Sequence, residues 1–142
     1  MSQALQRGTY PADWRELSAA VKREAGGRCV RCGHPHDAAS GHVLTVHHFD
    51  GDRDNNARWN LMALCQRCHL SVQSRVDPAN PIIFDPAVWA MPYIAGLYEA
   101  GGCTPPPGYD LGRWIVEYAR EVGDWPEWAP LPKGGKDAAK EG

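Results

Sequence analysis

Four cysteines, arranged as two Cys-x-x-Cys pairs, are the residues whose type and spacing most clearly suit chemistry. The pairs are Cys29-Val-Arg-Cys32 and Cys65-Gln-Arg-Cys68. Zinc prefers four soft ligands in a tetrahedron, and each Cys-x-x-Cys turn supplies two of them. In a reducing compartment such paired motifs are more often zinc ligands than disulfides. The spacing therefore predicts a closed structural zinc site, with four unrelated buried cysteines or a redox dithiol as the alternative.

Three histidines lie between and just after these pairs. The 32 residues that separate Cys32 from Cys65 exceed the roughly 15 to 20 of a simple paired-knuckle site, so a sizeable segment is inserted there. It contains His47-His48, and His69 directly follows the last cysteine. A neutral imidazole binds divalent metals, and an imidazole with an ordinary pKa of about 6.5 suits accepting a proton from water. One histidine as metal ligand and its neighbour as general base is a coherent pair.

The adjacent histidines impose a geometric condition. Neighbouring side chains of a strand point to opposite faces, so both histidines serve one site only if the chain bends, which Asp50-Gly51 favours. Two histidines at a strand end with no joint role is the alternative. A zinc site would hold His69 against the strand as a second metal ligand facing His47. Asn60 either holds the loop and orients His48 or is an ordinary strand-entry residue.

Other residues near these motifs offer competing ligands. His34, His36 and His42 lie beside the first pair, where one of them could replace a cysteine, although surface histidines are the simpler interpretation. The Asp-x-Asp-x-Asp run at 50–54 resembles the opening of an EF-hand loop, but Asn and Leu occupy its sixth and twelfth positions. We therefore interpret it as a solvated turn. Cys103 is left over as a free thiol.

The elements that must position these residues follow from the hydrophobic pattern. Apolar residues at helical spacing predict an amphipathic helix over 13–24 that packs on the zinc core. A β-branched, apolar run over 43–46 predicts a strand that ends at the two histidines, and 61–64 predicts a second strand. Residues 66–76 then form a helix that stops before Pro78. The predicted order is strand, loop, strand, helix.

The second half of the chain has a different pattern. A helix over 87–100 is expected to start at Asp85-Pro86 and to be kinked or split by Pro92. Residues 111–122 carry apolar side chains at i, i+3, i+4, i+7 and i+11, which predicts an amphipathic helix ended by Gly123. Trp125 and Trp128 are expected to pack back on the body. Residues 1–12 are interpreted as a flexible lead, 13–76 as the functional domain, 77–132 as a helical extension and 133–142 as a disordered tail.

Composition and charge indicate which class of binding partner the chain favours. The net charge of −2 divides into +3 for residues 1–76, with ten Lys/Arg against seven Asp/Glu, and −5 for residues 77–142, with five against ten. The more basic half therefore carries the motifs, which favours a phosphate partner. No apolar run of about 18 residues and no signal-peptide pattern occurs, so we expect a soluble, cytoplasmic protein without membrane contact.

The motifs together resemble the HNH endonuclease family in its zinc-knuckle version. The resemblance covers about residues 14–76 and rests on Cys29-x-x-Cys32, Val46-His47-His48, Asn60-Leu61 and Leu64-Cys65-x-x-Cys68-His69. It implies an α+β fold: a small zinc-stapled ββα-metal core, here with an N-terminal helix and a mainly helical C-terminal extension. It also implies a DNA endonuclease that leaves a 5′-phosphate and a 3′-hydroxyl.

The resemblance assigns a role to each matching residue. It implies that His47 and His69 bind the catalytic ion, which is Mg²⁺ or a divalent transition metal, that His48 is the general base, and that Asn60 is an orienting residue. Four arginines are candidate DNA phosphate contacts or solvated surface residues: Arg53, Arg58, Arg67 and Arg75.

A zinc-knuckle module that binds nucleic acid or protein without catalysis is the alternative function, since such a module requires only the cysteines. Nothing in the resemblance extends to residues 77–142. We expect this extension to be a homodimer interface, a docking element for another protein, or a cap over the core.

Overall fold

The computed structural model describes residues 8–73, 88–101 and 103–131. Their helices and strands, in chain order, are α1 (Trp14–Glu24), β1 (Leu44–His48), β2 (Leu61–Cys65), α2 (Gln66–Gln73), α3 (Met91–Glu99) and α4 (Leu111–Glu121). The described residues thus form a small α+β fold with one two-stranded sheet, four helices and a four-cysteine cluster. The predicted fold class, a zinc-stapled ββα core with an N-terminal helix and a helical extension, is confirmed.

Strands β1 and β2 form an antiparallel hairpin that leads directly into α2. The register runs from Leu44 opposite Cys65 to His48 opposite Leu61. All five residues of β2 are buried, because α1 covers one side of the sheet and α2 packs beside the other. No loop separates Cys65 from Gln66, so the second cysteine pair spans the junction of strand and helix.

Both histidines belong to β1 and form its end, where the strand was predicted to end. The ladder continues through His47 opposite Met62 and His48 opposite Leu61, and the chain turns only at Phe49. The bend expected between the histidines is therefore absent. Cross-strand pairing with the apolar partners of β2 extends the strand past the β-branched run from which it was predicted.

Helix α1 forms as predicted, between Pro11 and a pair of glycines. Gly26 and Gly27 both have a φ of +71°, a conformation that L side chains rarely adopt and that ends the helix. Val21 is almost completely buried, and Trp14 and Leu17 pack beside it against the core. The helix thus brings its first residue, Trp14, to the strand end that carries the histidines.

Helix α3 is buried along its length and is not kinked by Pro92. The proline lies in the first turn, where its missing N–H would have had no helical partner in any case. A short 3₁₀ turn at Val88–Ala90 precedes the helix, while Asp85 and Pro86 lie outside the described residues. Gly96 allows the side chain of Trp59 to lie against the helix backbone, since a Cβ at this position would collide with it.

Aromatic rings pack the C-terminal extension together and against the core. Trp114 of α4 meets Tyr109 edge to face at a centroid distance of 4.8 Å. Trp128 lies 5.0 Å from Tyr93 of α3 and 4.7 Å from the guanidinium of Arg58 in the core, so it packs on the body as predicted. Trp125 packs on Tyr118 of α4.

The bounds of the described residues leave some predictions untested. Those for residues 1–7, 74–87 and 132–142 lie outside the described residues. No helix within the described ranges is long and apolar enough to cross a membrane.

Candidate functional site

The four cysteines of the two pairs converge on one point. Their Sγ atoms all lie within 4.8 Å of one another, and those of Cys32 and Cys65 are 3.8 Å apart. Four sulfurs around zinc at about 2.3 Å are separated by about 3.8 Å. The cluster therefore fits a tetrahedral zinc ion, which Cys29, Cys32, Cys65 and Cys68 could hold. The alternative interpretation, four unrelated buried cysteines, is excluded. His34, His36 and His42 are not part of the cluster.

Backbone amides and one arginine face the sulfurs. The amides of Arg31 and Cys32 donate to Cys29 Sγ at 3.4 and 3.5 Å, and the amide of Cys68 donates to Cys65 Sγ at 3.5 Å. Arg31 also donates through Nη1 to Cys68 Sγ at 3.4 Å. These donors stabilise negative sulfur, as a site of four thiolates requires. Without a metal, burial raises the pKa of Cys68 to about 12, which the Arg31 guanidinium offsets only in part.

A second group of side chains joins β1 to α2 beside this cluster. His47 Nδ1 lies 3.0 Å from His69 Nε2, and His69 Nδ1 lies 2.9 Å from the hydroxyl of Thr45. Residues 45 and 47 share one face of β1 because strand side chains alternate, and α2 covers that face. The cysteine cluster fixes the start of α2, since Cys68 immediately precedes His69, and it thereby holds His69 against the strand.

His47 is buried in a way that suits a neutral metal ligand. Its side chain is only 5% exposed, and burial, together with the nearby His69, lowers its pKa to about 3. Burial also lowers the pKa of His69. Among the described residues, His47 Nε2 is the buried side-chain nitrogen or oxygen that lacks a hydrogen-bond partner. Two facing, neutral imidazole nitrogens 3.0 Å apart fit a shared divalent ion, since nitrogens bound at about 2.1 Å and at right angles have this separation.

His48 lies on the opposite face of β1, toward α1. Its ring stacks on that of Trp14 at a centroid distance of 4.9 Å. Its Nε2 lies 2.9 Å from Asn56 Oδ1, and the Asn56 amide is oriented by its own bond from Nδ2 to the Arg53 carbonyl at 3.1 Å. Because an amide oxygen only accepts, Nε2 carries the ring proton and Nδ1 carries the lone pair.

Side chains from both faces of β1 line one small pocket at the end of the strand. Its volume is about 20 Å³, which exceeds the roughly 10 to 15 Å³ that one water molecule needs. The lining residues are Tyr10, Val46, His47, His48, Gly51, Arg53 and His69. The histidines therefore border one pocket without the bend that sequence reasoning required, because they are the last two residues of β1, where side chains from either face line the same space.

Asn60 acts on the loop and not on the His48 ring. It is fully buried; its Oδ1 accepts from the Asp50 amide at 2.9 Å, and its Nδ2 donates to Asp50 Oδ1 and to the Asn55 carbonyl, each at 2.8 Å. Asn60 therefore holds the loop that carries Asn56, and Asn56 is the residue that contacts His48. The same bonds occupy the Asp50 carboxylate within its own loop, which disfavours calcium binding there.

The four arginines proposed for DNA contact have different surroundings. Arg53 lines the pocket, and its guanidinium lies 4.8 Å from the ring of Tyr10. Arg58 pairs with Glu24 at 2.7 Å and stacks on Trp128 at 4.7 Å, so it joins α1 to the extension. Arg67 is exposed and packs beside Gly41. Arg75 lies outside the described residues.

Sequence reasoning did not identify three residues of the site: Thr45, Asn56 and Tyr10. Thr45 has a local signal, because a residue two positions before His47 must share its strand face. Tyr10 lies in the segment interpreted as a flexible lead, yet it stacks on Trp14 at 4.9 Å, and the amide of the neighbouring Thr9 donates to Asp54 Oδ1 at 3.1 Å. No sequence pattern distinguishes Asn56 from its neighbours in the loop.

Comparison with known proteins finds one partial similarity. Zorya protein ZorE of Escherichia coli (strain Crooks) is 33% identical over 75 residues, which make up 53% of this chain and 19% of that protein. The chain therefore matches only about a fifth of the length of this relative. No protein-family model matches the chain, and no solved structure matches it.

Proposed function

We propose that this protein is a metal-dependent DNA endonuclease of the HNH type. The observation that carries the proposal is the pocket at the end of β1, where His47 and His69 face each other across 3.0 Å and His48 borders the same space. A module that used only its zinc cluster for binding would have no need of this arrangement.

The side chains divide the work of phosphodiester hydrolysis. His47 and His69 would hold a divalent ion, which supplies neutralisation of the charge that develops on the scissile phosphate. His48 accepts a proton from the attacking water at Nδ1, because its Nε2 proton is donated to Asn56. The water oxygen forms a bond to phosphorus as the bond to the 3′ oxygen breaks, and the 3′ oxygen takes a proton from solvent water, which yields a 5′-phosphate and a 3′-hydroxyl.

We expect Arg53 to contact the DNA at this site. It borders the pocket beside Tyr10, where a guanidinium can contact a phosphate oxygen. Phosphate contacts orient a nucleic acid without reading its bases, so we expect cleavage with low sequence selectivity.

Incubation of supercoiled plasmid with the purified protein and Mg²⁺, Mn²⁺ or Ni²⁺ tests the proposal. We expect metal-dependent nicking by the parent and by His34→Ala, a matched control outside the pocket, and a loss of about 100-fold or more in His48→Ala. Nicking that is unchanged in His48→Ala would contradict the role of the base.

A zinc-knuckle binding module is the second candidate, favoured by the fact that the cysteine cluster closes without any histidine. It predicts DNA or protein binding that His48→Ala leaves unchanged, with no cleavage under any metal condition. The absence of nicking with every metal, in a zinc-loaded and folded protein, would select this candidate.

A further inference from the structure

We propose that Thr45 is a positioning residue that holds His69 in the Nδ1–H tautomer, so that the Nε2 lone pair of His69 faces His47. The tautomer follows from the contacts alone. Its consequence for metal binding rests on the proposed function, in which these two histidines share an ion.

The direction of each hydrogen bond is determined by the groups involved. Thr45 Oγ1 lies 2.8 Å from the carbonyl oxygen of Leu64 and 2.9 Å from His69 Nδ1. A carbonyl oxygen only accepts, so the single hydroxyl proton of Thr45 is donated to Leu64. The hydroxyl oxygen then accepts a proton from His69 Nδ1. At pH 8 an imidazole with an ordinary pKa of about 6.5 is neutral, so Nε2 is the nitrogen of His69 without a proton.

The sheet keeps this arrangement in place. Leu64 is the register partner of Thr45 across the hairpin, so the carbonyl that orients the hydroxyl belongs to the same ladder that positions His47. Thr45 and His47 lie on the face of β1 toward α2. A continuous series of polar contacts therefore runs from the Leu64 carbonyl through Thr45 and His69 to His47. Its last contact is the 3.0 Å between His69 Nε2 and His47 Nδ1.

Removal of the hydroxyl would reverse the tautomer. The Nδ1–H of His69 would become a poorly solvated donor without an acceptor, which is unfavourable. Transfer of the proton to Nε2 relieves this, because His69 can then donate to His47 Nδ1 once His47 carries its own ring proton on Nε2. In that tautomer His69 Nε2 has no lone pair, so the two histidines can no longer share an ion.

The matched variants are Thr45→Val, which has the same shape without a hydroxyl, and Thr45→Ser, which retains it. Imidazole ¹⁵N NMR at pH 8, on zinc-loaded protein without a second metal, reports the tautomer, and His69→Gln assigns the signal. We expect the Nδ1–H form in the parent and in Thr45→Ser, and the Nε2–H form in Thr45→Val. An Nε2–H signal in the parent would overturn the proposal by itself, even if Thr45→Val did not fold.

Titration with Mn²⁺ provides the second measurement. We expect Thr45→Val to bind Mn²⁺ about 10- to 100-fold more weakly than the parent, the usual effect of losing a group that orients a metal ligand, while Thr45→Ser binds as the parent does. Equal affinity in the parent and Thr45→Val would contradict the proposed effect on metal binding. A parent that shows the Nδ1–H tautomer but never cleaves DNA would refute the nuclease function and leave the role of Thr45 intact.

Discussion

Asn60 and Asp50 hydrogen-bond to each other twice. The Asp50 amide donates to Asn60 Oδ1 at 2.9 Å, and Asn60 Nδ2 donates to Asp50 Oδ1 at 2.8 Å. Asn55 completes the group by donating through Nδ2 to Asp50 Oδ2 at 2.8 Å. This group fixes the turn that follows His48, so the loop that brings Asn56 to the His48 ring depends on a residue that does not touch that ring.

Replacement of Asn60 tests this dependence. Asn60→Ala leaves the Asp50 amide and the Asn55 carbonyl without their buried partner, so we expect a loss of about 2 to 4 kcal/mol in the free energy of unfolding. Asn60→Asp should be worse at pH 7, because it places a second carboxylate against Asp50 where a donor was. Denaturant unfolding of the zinc-loaded proteins measures both. Parental stability of Asn60→Asp would show that the hydrogen bonds between Asn60 and Asp50 do not hold the loop.

The cysteine cluster offers a test with a control inside the same chain. Cys65→Ser removes a ligand at the junction of β2 and α2, so we expect zinc to be lost and the cooperative thermal transition with it, because structural zinc contributes folding free energy directly. Cys103→Ser, outside the cluster, should keep one zinc per chain and the parental transition. Zinc analysis and melting curves measure these outcomes, and parental melting of Cys65→Ser would contradict a structural role for the metal.

Asn56 gives a prediction specific to the base. Asn56→Ala removes the acceptor of the His48 Nε2 proton, so the ring loses its orientation and we expect kcat for nicking to fall about 10-fold or more while KM changes little. Asn56→Asp retains an acceptor oxygen and should keep a slowly exchanging Nε2–H signal in the NMR spectrum, which Asn56→Ala loses. A parental kcat in Asn56→Ala would show that His48 does not rely on this bond.

The sequence was sufficient for the parts of the site that depend on local spacing. Each Cys-x-x-Cys turn orients its own pair of sulfurs, so two such turns can share one metal even when a long segment separates them. The β-branched run before His47 and the helical spacing of residues 111–122 likewise report local preferences, and both predicted elements are present.

The parts that could not be predicted depend on long-range register. Thr45 meets His69 only because the hairpin places β1 beside α2, and Arg58 pairs with Glu24, which lies 34 positions away in the chain. A phosphate-binding arginine and an arginine in an internal ion pair look alike in a sequence. The continuation of β1 past the β-branched run also depends on pairing, since histidines have no marked preference for strands.

The buried histidines make stability depend on pH with a definite sign. The pKa of His47 is lowered by burial to about 3 in the folded protein, whereas an unfolded histidine titrates near about 6.5. Below about pH 6.5 the unfolded chain binds a proton that the folded chain does not. The free energy of unfolding is therefore not reduced by His47 above this pH. As the pH falls from about 6.5 toward about 3, His47 lowers the free energy of unfolding by up to about 1.4 kcal/mol per pH unit.

His47→Gln separates this effect from proton competition at the cysteines. Both proteins lose zinc affinity as acid protonates the thiolates, so that component cancels in the difference between them. We expect the free energy of unfolding of the parent to fall more steeply than that of His47→Gln between pH 6.5 and pH 5, and the two slopes to match above pH 7.5. Urea unfolding at stoichiometric zinc measures the slopes. Parallel curves across the whole range would mean that His47 takes up a proton in the folded state as easily as in water, and a neutral ligand buried at this position would then be ruled out.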